Sequence, residues 1–268
     1  MTRWILLLTT IVTMASCGTN NEGCLDANAT NFNVSADKNC CCTYPQMGIR
    51  FEFYNGDAVL SSSNPLVDAG GDTISIQKLS FYVSDLHWIL SNDEEKRSDK
   101  RLWLYLSPGN YNDSTRSIDD YYLIDAVNNV AKDFTFYTPF TLKKLRLTIG
   151  VADSALANQP RYMKNINHPL AARTDSMYDY KASVYQTLRL AYVPYKSNGL
   201  SDTIYVSSSQ ARQSFDLDVS FPTVLGFDNY VVIRMQVHRL IDGIRFREDS
   251  KQVISEKLAV NLKNILIP

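Results

Sequence analysis

The chain holds three histidines, His87, His168 and His238, and imidazole is a good ligand for copper and zinc. No HxH, HxxxH or HExxH spacing sets any two of them side by side. A shared ion would therefore need the fold to bring them together. His168, directly before Pro169 in a stretch crowded with polar and aromatic residues, is the strongest candidate. A site would join it to His87 or His238, with Met177 or Asp175 beside them. The plainer reading of His87 and His238 is a polar residue on the outer face of a strand. Catalytic signatures are missing: there is no GxSxG and no glycine-rich phosphate loop. All five cysteines lie in the first 42 residues, so the rest of the chain has no thiol nucleophile. The reading is of a protein that is not an enzyme.

His87 sits in FYVSDLHWIL, residues 81–90, an apolar stretch with the period of a core strand. Neighbouring side chains on a strand face opposite ways, so His87 and Trp88 do not address one ion. The same logic places Trp88 with Leu86 and Leu90 in a packing stripe, and His87 on the face of Asp85 and Val83. Upstream the apolar phase slips, from even positions at Ile74 and Ile76 to odd ones at Leu79, Phe81 and Val83. A one-residue slip turns later side chains to the other face, which predicts a bulge near Gln77-Lys78.

Further alternating segments predict strands around Ile49–Phe53, 102–106, 119–125, 141–151, 184–192, 203–206, 214–221 and 230–238. Residues 92–101 read as a charged hairpin tip, the segment between 125 and 141 as a polar connection, and Gly150 as a bend. Residues 152–182 read as a long loop, and loops of that length in compact domains are usually functional or disordered; its aromatics argue against disorder. Ile254, Leu258, Leu262 and Ile265 recur at helical spacing and predict a C-terminal helix over residues 251–265. Together these give an all-β fold, an antiparallel β-sandwich with a C-terminal helix. The sixteen tyrosines suit sheet faces, although they would also suit a sugar- or peptide-binding surface.

The N-terminus reads as an export signal. Residues 1–16 combine Arg3, the apolar run 4–14 and small residues before Cys17. Cys17 is expected to be the lipidated first residue of a lipoprotein, carrying diacylglycerol and an acyl chain such as palmitate. The apolar run falls short of the roughly twenty residues that span a bilayer. The lipid is thus the expected link to the membrane. Gly18 rather than Asp follows Cys17, which favours the outer membrane. With 27 basic and 28 acidic residues there is no charge excess to attract nucleic acid.

Residues 17–46 read as a lipid-anchored linker with a Cys-rich module stapled by a disulfide, and residues 47–268 as the sandwich domain. Vicinal cysteines bridge poorly, so Cys24 is expected to pair with Cys40 or Cys42 among Cys24, Cys40, Cys41 and Cys42. The segment 23–44 resembles a short module of exported bacterial proteins, GCxDxxAxNYxxxAxxxxxxCxY, matched at Gly23, Cys24, Asp26, Ala29, Asn31, Phe32, Ala36, Cys42 and Tyr44. Asp26, Asn28, Asn31, Asn33 and Asp37 carry oxygens suited to calcium, but such residues crowd turns in any loop, and calcium is not expected there.

Beyond the module, KLSFYVSDLHWIL at 78–90, DDYYLID at 119–125, KKLRLTIGVADS at 143–154, HPL at 168–170, MY at 177–178 and KLAVNLKNIL at 257–266 together resemble the MbnP-like family. These are exported β-sandwich proteins related to the copper-binding partner of a di-haem enzyme. The resemblance implies copper held by two histidines and a tryptophan-derived kynurenine. This sequence departs from that pattern: Asp179, Tyr180 and Lys181 stand where tryptophans usually follow, and residues 203–209 lack a later-strand histidine. Kynurenine chemistry is therefore not expected. Two functions remain: a non-catalytic exported binder of copper or another transition metal, or a non-metal envelope module that holds a partner protein or glycan.

Overall fold

The alternating apolar segments pair into two facing sheets. The computed structural model describes residues 21–61, 64–107, 110–173, 175, 177–194, 201–209 and 211–267, so the signal and Cys17 lie outside the described residues. The longer strands are β1 (Gln46–Asn55), β2 (Thr73–Leu90), β3 (Arg101–Ser107), β4 (Asn110–Ile118), β5 (Tyr122–Asp125), β6 (Val130–Thr135), β7 (Thr141–Ile149), β8 (Val184–Pro194), β9 (Asp202–Ser207), β10 (Gln213–Pro222) and β11 (Asn229–Gln236), followed by helix α1 (Lys251–Asn261). The first sheet is built on β2: β8 pairs with its first half, β7 with its second and β5 with Ser80–Val83, while β9 extends from β8 and β10 from β7. The second sheet runs β6-β1-β11. Its β1–β11 pair is parallel, set into an otherwise antiparallel frame. Hairpin β3–β4 stands as a sheet of its own.

The main core lies between the sheets. Ile49 and Phe51 from β1 and Ile233 and Met235 from β11 meet Phe81, Trp88, Leu145, Leu147, Leu188 and Leu190 from the first sheet. Ile254, Leu258, Leu262 and Ile265 close it from α1 and the turn that follows. Ser250 caps the helix by accepting from the Val253 N–H at 3.3 Å, and Ser255 Oγ ties it to the Tyr205 carbonyl of β9 at 2.8 Å.

The first sheet is covered on its other face as well. A second cluster gathers Tyr82, Leu104, Met163, Leu170, Met177 and Tyr185, and this double cover explains why residues 79–84 are buried without alternation. The long segment 152–182 forms the cover, ordered by 3-10 turns at Asp153–Ala155 and Pro160–Tyr162 and by pairing of Tyr178–Asp179 with β8. Two strands, β4 and β6, arise where no strand was expected. Both are rich in polar residues, and their pairing with β3 and β1 outweighs weak local preference. The charged run also divides: Glu95–Lys96 folds back on β2 at Trp88–Ile89, and Ser98 is buried.

β2 carries two irregularities. The expected slip falls at Gln77, which has no partner while Lys78 faces Ala191 and Ile76 faces Tyr192. A second lies at Asp85-Leu86, set against Leu147 alone between the pairs His87–Arg146 and Ser84–Thr148. Asp85 there has φ 59°. The bulge moves Leu86, Trp88 and Leu90 into the same core as Val83. His87 therefore does not share the face of Val83, as the simple alternation had it.

In the N-terminal module Cys24 is bonded to Cys42, and Cys40 and Cys41 are free. Its Asx side chains make local turns: Asp26 accepts from Asn28 N–H at 2.9 Å, Asn33 from Ser35 N–H at 3.0 Å. The module docks on the sandwich where Gly226 N–H donates to the Asn28 carbonyl at 3.1 Å and the rings of Tyr44 and Tyr137 meet at 4.6 Å.

Candidate functional site

Three stretches far apart in sequence, 81–90, 119–125 and 168–170, converge at one polar seam. The left-handed bulge residue Asp85 presents its carboxylate to Arg97, whose Nη2 donates to Asp85 at 2.9 Å and to Asp120 at 3.1 Å. Asp120 is 2% exposed. Burial pushes its carboxyl up, against the Arg97 guanidinium that pulls it down. Next to it, Asp119 accepts from His168 Nε2 at 2.9 Å.

One layer deeper, Trp88 donates its indole N–H to Asp133 at 2.6 Å, and Tyr122 donates its hydroxyl to the other Asp133 oxygen at 2.7 Å. Trp88 and Asp133 are fully buried. Burial drives the Asp133 carboxyl up to about 6, although both hydrogen bonds favour its charged form. The Tyr122 hydroxyl is pushed up by burial and then by Asp133. Arg97 comes from the run read as a hairpin tip, and Asp133 from the segment read as a connection. One signal for Asp133 was present in the sequence: a Trp on a core stripe brings an N–H that needs an acceptor.

His168 is 6% exposed. Its Nδ1 accepts from Leu170 N–H at 3.1 Å, so the ring proton lies on Nε2, where it is donated to Asp119. The Pro169 carbonyl beside it accepts from Tyr82 at 3.1 Å, joining the cover segment to β2. His87 contacts Glu95 through Nδ1 at 2.7 Å, and its Nε2 is 3.5 Å from Asp85. His87 and His168 thus border the same seam, linked through Asp85, Arg97, Asp120 and Asp119 rather than by contact of their rings.

His238 lies elsewhere. β11 ends at Gln236, and His238 falls in the helical turn Val237–Leu240, where its Nδ1 accepts from Gly56 N–H at 3.0 Å. Asp175 forms a two-pronged ion pair with Arg173 at 2.8 Å. Met177 is buried in the second apolar cluster. Among the described residues, no group of three or more His, Cys, Asp or Glu side chains is placed to hold a metal ion. As bonded here, His168 has no free ring lone pair to offer a metal, and the rings of His87 and His168 are not brought into contact. What the seam does chemically is tie the cover segment and both sheets together through the buried carboxylates of Asp120 and Asp133 and the partly exposed ones of Asp85 and Asp119.

The MbnP family model matches residues 44–257. Among solved structures, MbnP from Methylosinus trichosporium is similar at 11% identity, covering 74% of this chain and 78% of that one with a TM-score of 0.40. The search of curated proteins returned no match.

Proposed function

This chain belongs to the MbnP family, and from that premise we propose that it is an exported lipoprotein whose sandwich binds a partner protein or glycan in the cell envelope without catalysis. Export and anchoring at the outer membrane are supported by residues 1–16 and by Cys17 followed by Gly18. The choice of a macromolecular partner over a copper ion rests on the bonding of His168. Its two ring nitrogens are engaged by Leu170 N–H and Asp119, and a metal would have to displace one of these hydrogen bonds to gain a nitrogen. Copper at His87 Nδ1 would likewise displace Glu95. For a partner, the surface offers aromatic rings, a residue type enriched at interfaces: Trp103, Tyr137 and Phe227 are 53%, 61% and 71% exposed.

The test is Cu(II) titration with metal analysis of the mature protein and of its His87→Ala and His168→Ala variants. The expected result is no stoichiometric site that depends on either histidine. A copper site tighter than micromolar that either substitution abolishes would restore the metal-binding function. Labelling with radioactive palmitate tests the anchor separately: Cys17→Ala is expected to abolish incorporation and release the protein from membranes.

A further inference from the structure

β2 is paired along nearly the whole of one edge and only in pieces along the other. β8 and then β7 take the first edge, from Ile74 to Leu90. On the second edge a short strand, Leu66–Val67, pairs with Ile74 and Thr73, and β5 pairs with Ser80–Val83. Between these two pieces, among the described residues, no strand pairs with Ser75–Leu79. Both pieces run antiparallel to β2, so the gap has the direction of one missing stretch of strand, roughly 17 Å long at about 3.4 Å per residue. A cavity of about 800 Å³ opens here between the two sheets, with Phe53, Leu60, Ile76 and Leu79 in its wall. Phe53, Leu60 and Ile76 are only partly buried against the main core. The facing strand β1 has its own edge closed: Phe51 N–H donates to the Asn129 carbonyl at 2.8 Å, Asn129 Nδ2 to the Phe51 carbonyl at 2.9 Å, and Leu60 N–H to the Phe53 carbonyl at 2.8 Å. Lysine commonly blunts a strand edge, but Lys78 is drawn to Asp125, 3.8 Å away at one end of the gap.

In a step that rests on the reading of the sandwich as a partner-binding module, we propose that Ser75–Leu79 accepts an extended peptide segment of a partner protein as an added antiparallel strand, with alternate apolar side chains entering the cavity. Strand addition draws affinity from main-chain hydrogen bonds and selectivity from pockets for alternate side chains. Both are present here, as a run of β2 backbone with no strand beside it and an apolar space next to that run. A lipid chain would fill the space and give the backbone groups of the edge no partners. A glycan would set hydroxyls against the apolar wall.

The experiment uses the mature protein and a panel of fluorescent eight-residue peptides in which Val, Leu, Ile or Phe alternates with Ser, Thr or Lys. Binding is read by anisotropy and located by amide hydrogen exchange of the unaltered protein. Members of the panel should bind, with protection gained at Ser75–Leu79. Each binder is then methylated on alternate backbone nitrogens, in the two possible phases. One phase removes the donors that face β2 and should weaken binding by at least roughly tenfold; the other should weaken it much less. No binding across the panel overturns the proposal, and so does equal binding by the two methylated series. Protection around Trp103 or Phe227 instead of Ser75–Leu79 overturns the strand edge while keeping a protein partner for the sandwich. Failure of that broader reading is seen separately, as histidine-dependent copper binding.

Discussion

Asp133 couples the fold to pH more directly than any other residue of the seam. Its carboxyl is raised by burial to about 6 in the folded protein, so between about pH 4 and 6 the folded state binds more protons than the unfolded one. Its favourable contribution is complete at low pH and is lost as pH rises through about 6, a change on the order of 3 kcal/mol. Asp120, also raised by burial, acts in the same direction. Denaturant unfolding at a series of pH values should show stability falling across that window, and Asp133→Asn should flatten the slope; equal slopes would contradict the assignment. Gly150 tests the backbone. It has φ 121°, and an added Cβ would lie 2.9 Å from Arg212 Cγ and 3.2 Å from the buried Thr187 hydroxyl. Gly150→Ala should destabilise by more than about 1 kcal/mol, read as a lower denaturation midpoint. That bend was legible in the sequence because glycine at a strand end has few other uses. Asp133 was not, because a single acid between Lys132 and Phe134 looks like any outward residue until the N–H of Trp88 requires it.

At the scale of elements, β2 shows what alternation reveals and where it misleads. The slip at Gln77 was visible because two isoleucines fall out of phase with Leu79 and Phe81, and the ladder has its irregularity there. The second slip was written in the same way, in the passage from odd Val83 to even Leu86, but unbroken alternation was carried through it, so that Asp85 and His87 were read on the face of Val83. Left-handed backbone at Asp85 makes the position selective. Asp85→Val should cost roughly 1–2 kcal/mol from conformation alone, whereas Asp85→Asn, which tolerates that backbone, should cost less; thermal unfolding of the two variants ranks them. Helix α1 was legible from the spacing of Ile254, Leu258, Leu262 and Ile265, all buried, although the helix ends at Asn261 and Leu262–Asn264 form a 3-10 turn, short of the expected end at residue 265. Leu258→Ala should cost about 2–5 kcal/mol and Ser250→Ala about 1 kcal/mol, both measured as shifts in the denaturation midpoint. Strand β6 was illegible because its partner, β1, lies about eighty residues earlier, and β4 because its polar residues carry no alternation and it forms only by pairing back on β3.

For the whole molecule, the distribution of cysteines separates two sources of stability. The sandwich has no cysteine and rests on the core between its sheets, whereas the module is closed by Cys24–Cys42. A reducing agent should therefore open the module and leave the main unfolding transition of the sandwich nearly unchanged, as read by calorimetry with and without reductant. The central claim at this scale is that the histidines belong to the fold and not to a copper shell. Imidazole nitrogen NMR of the mature protein, before and after one equivalent of Cu(II), tests it most directly. The account predicts that His168 is a neutral ring with its proton on Nε2 and that the His168 and His87 signals survive the addition. Loss of both signals together at one equivalent would contradict it.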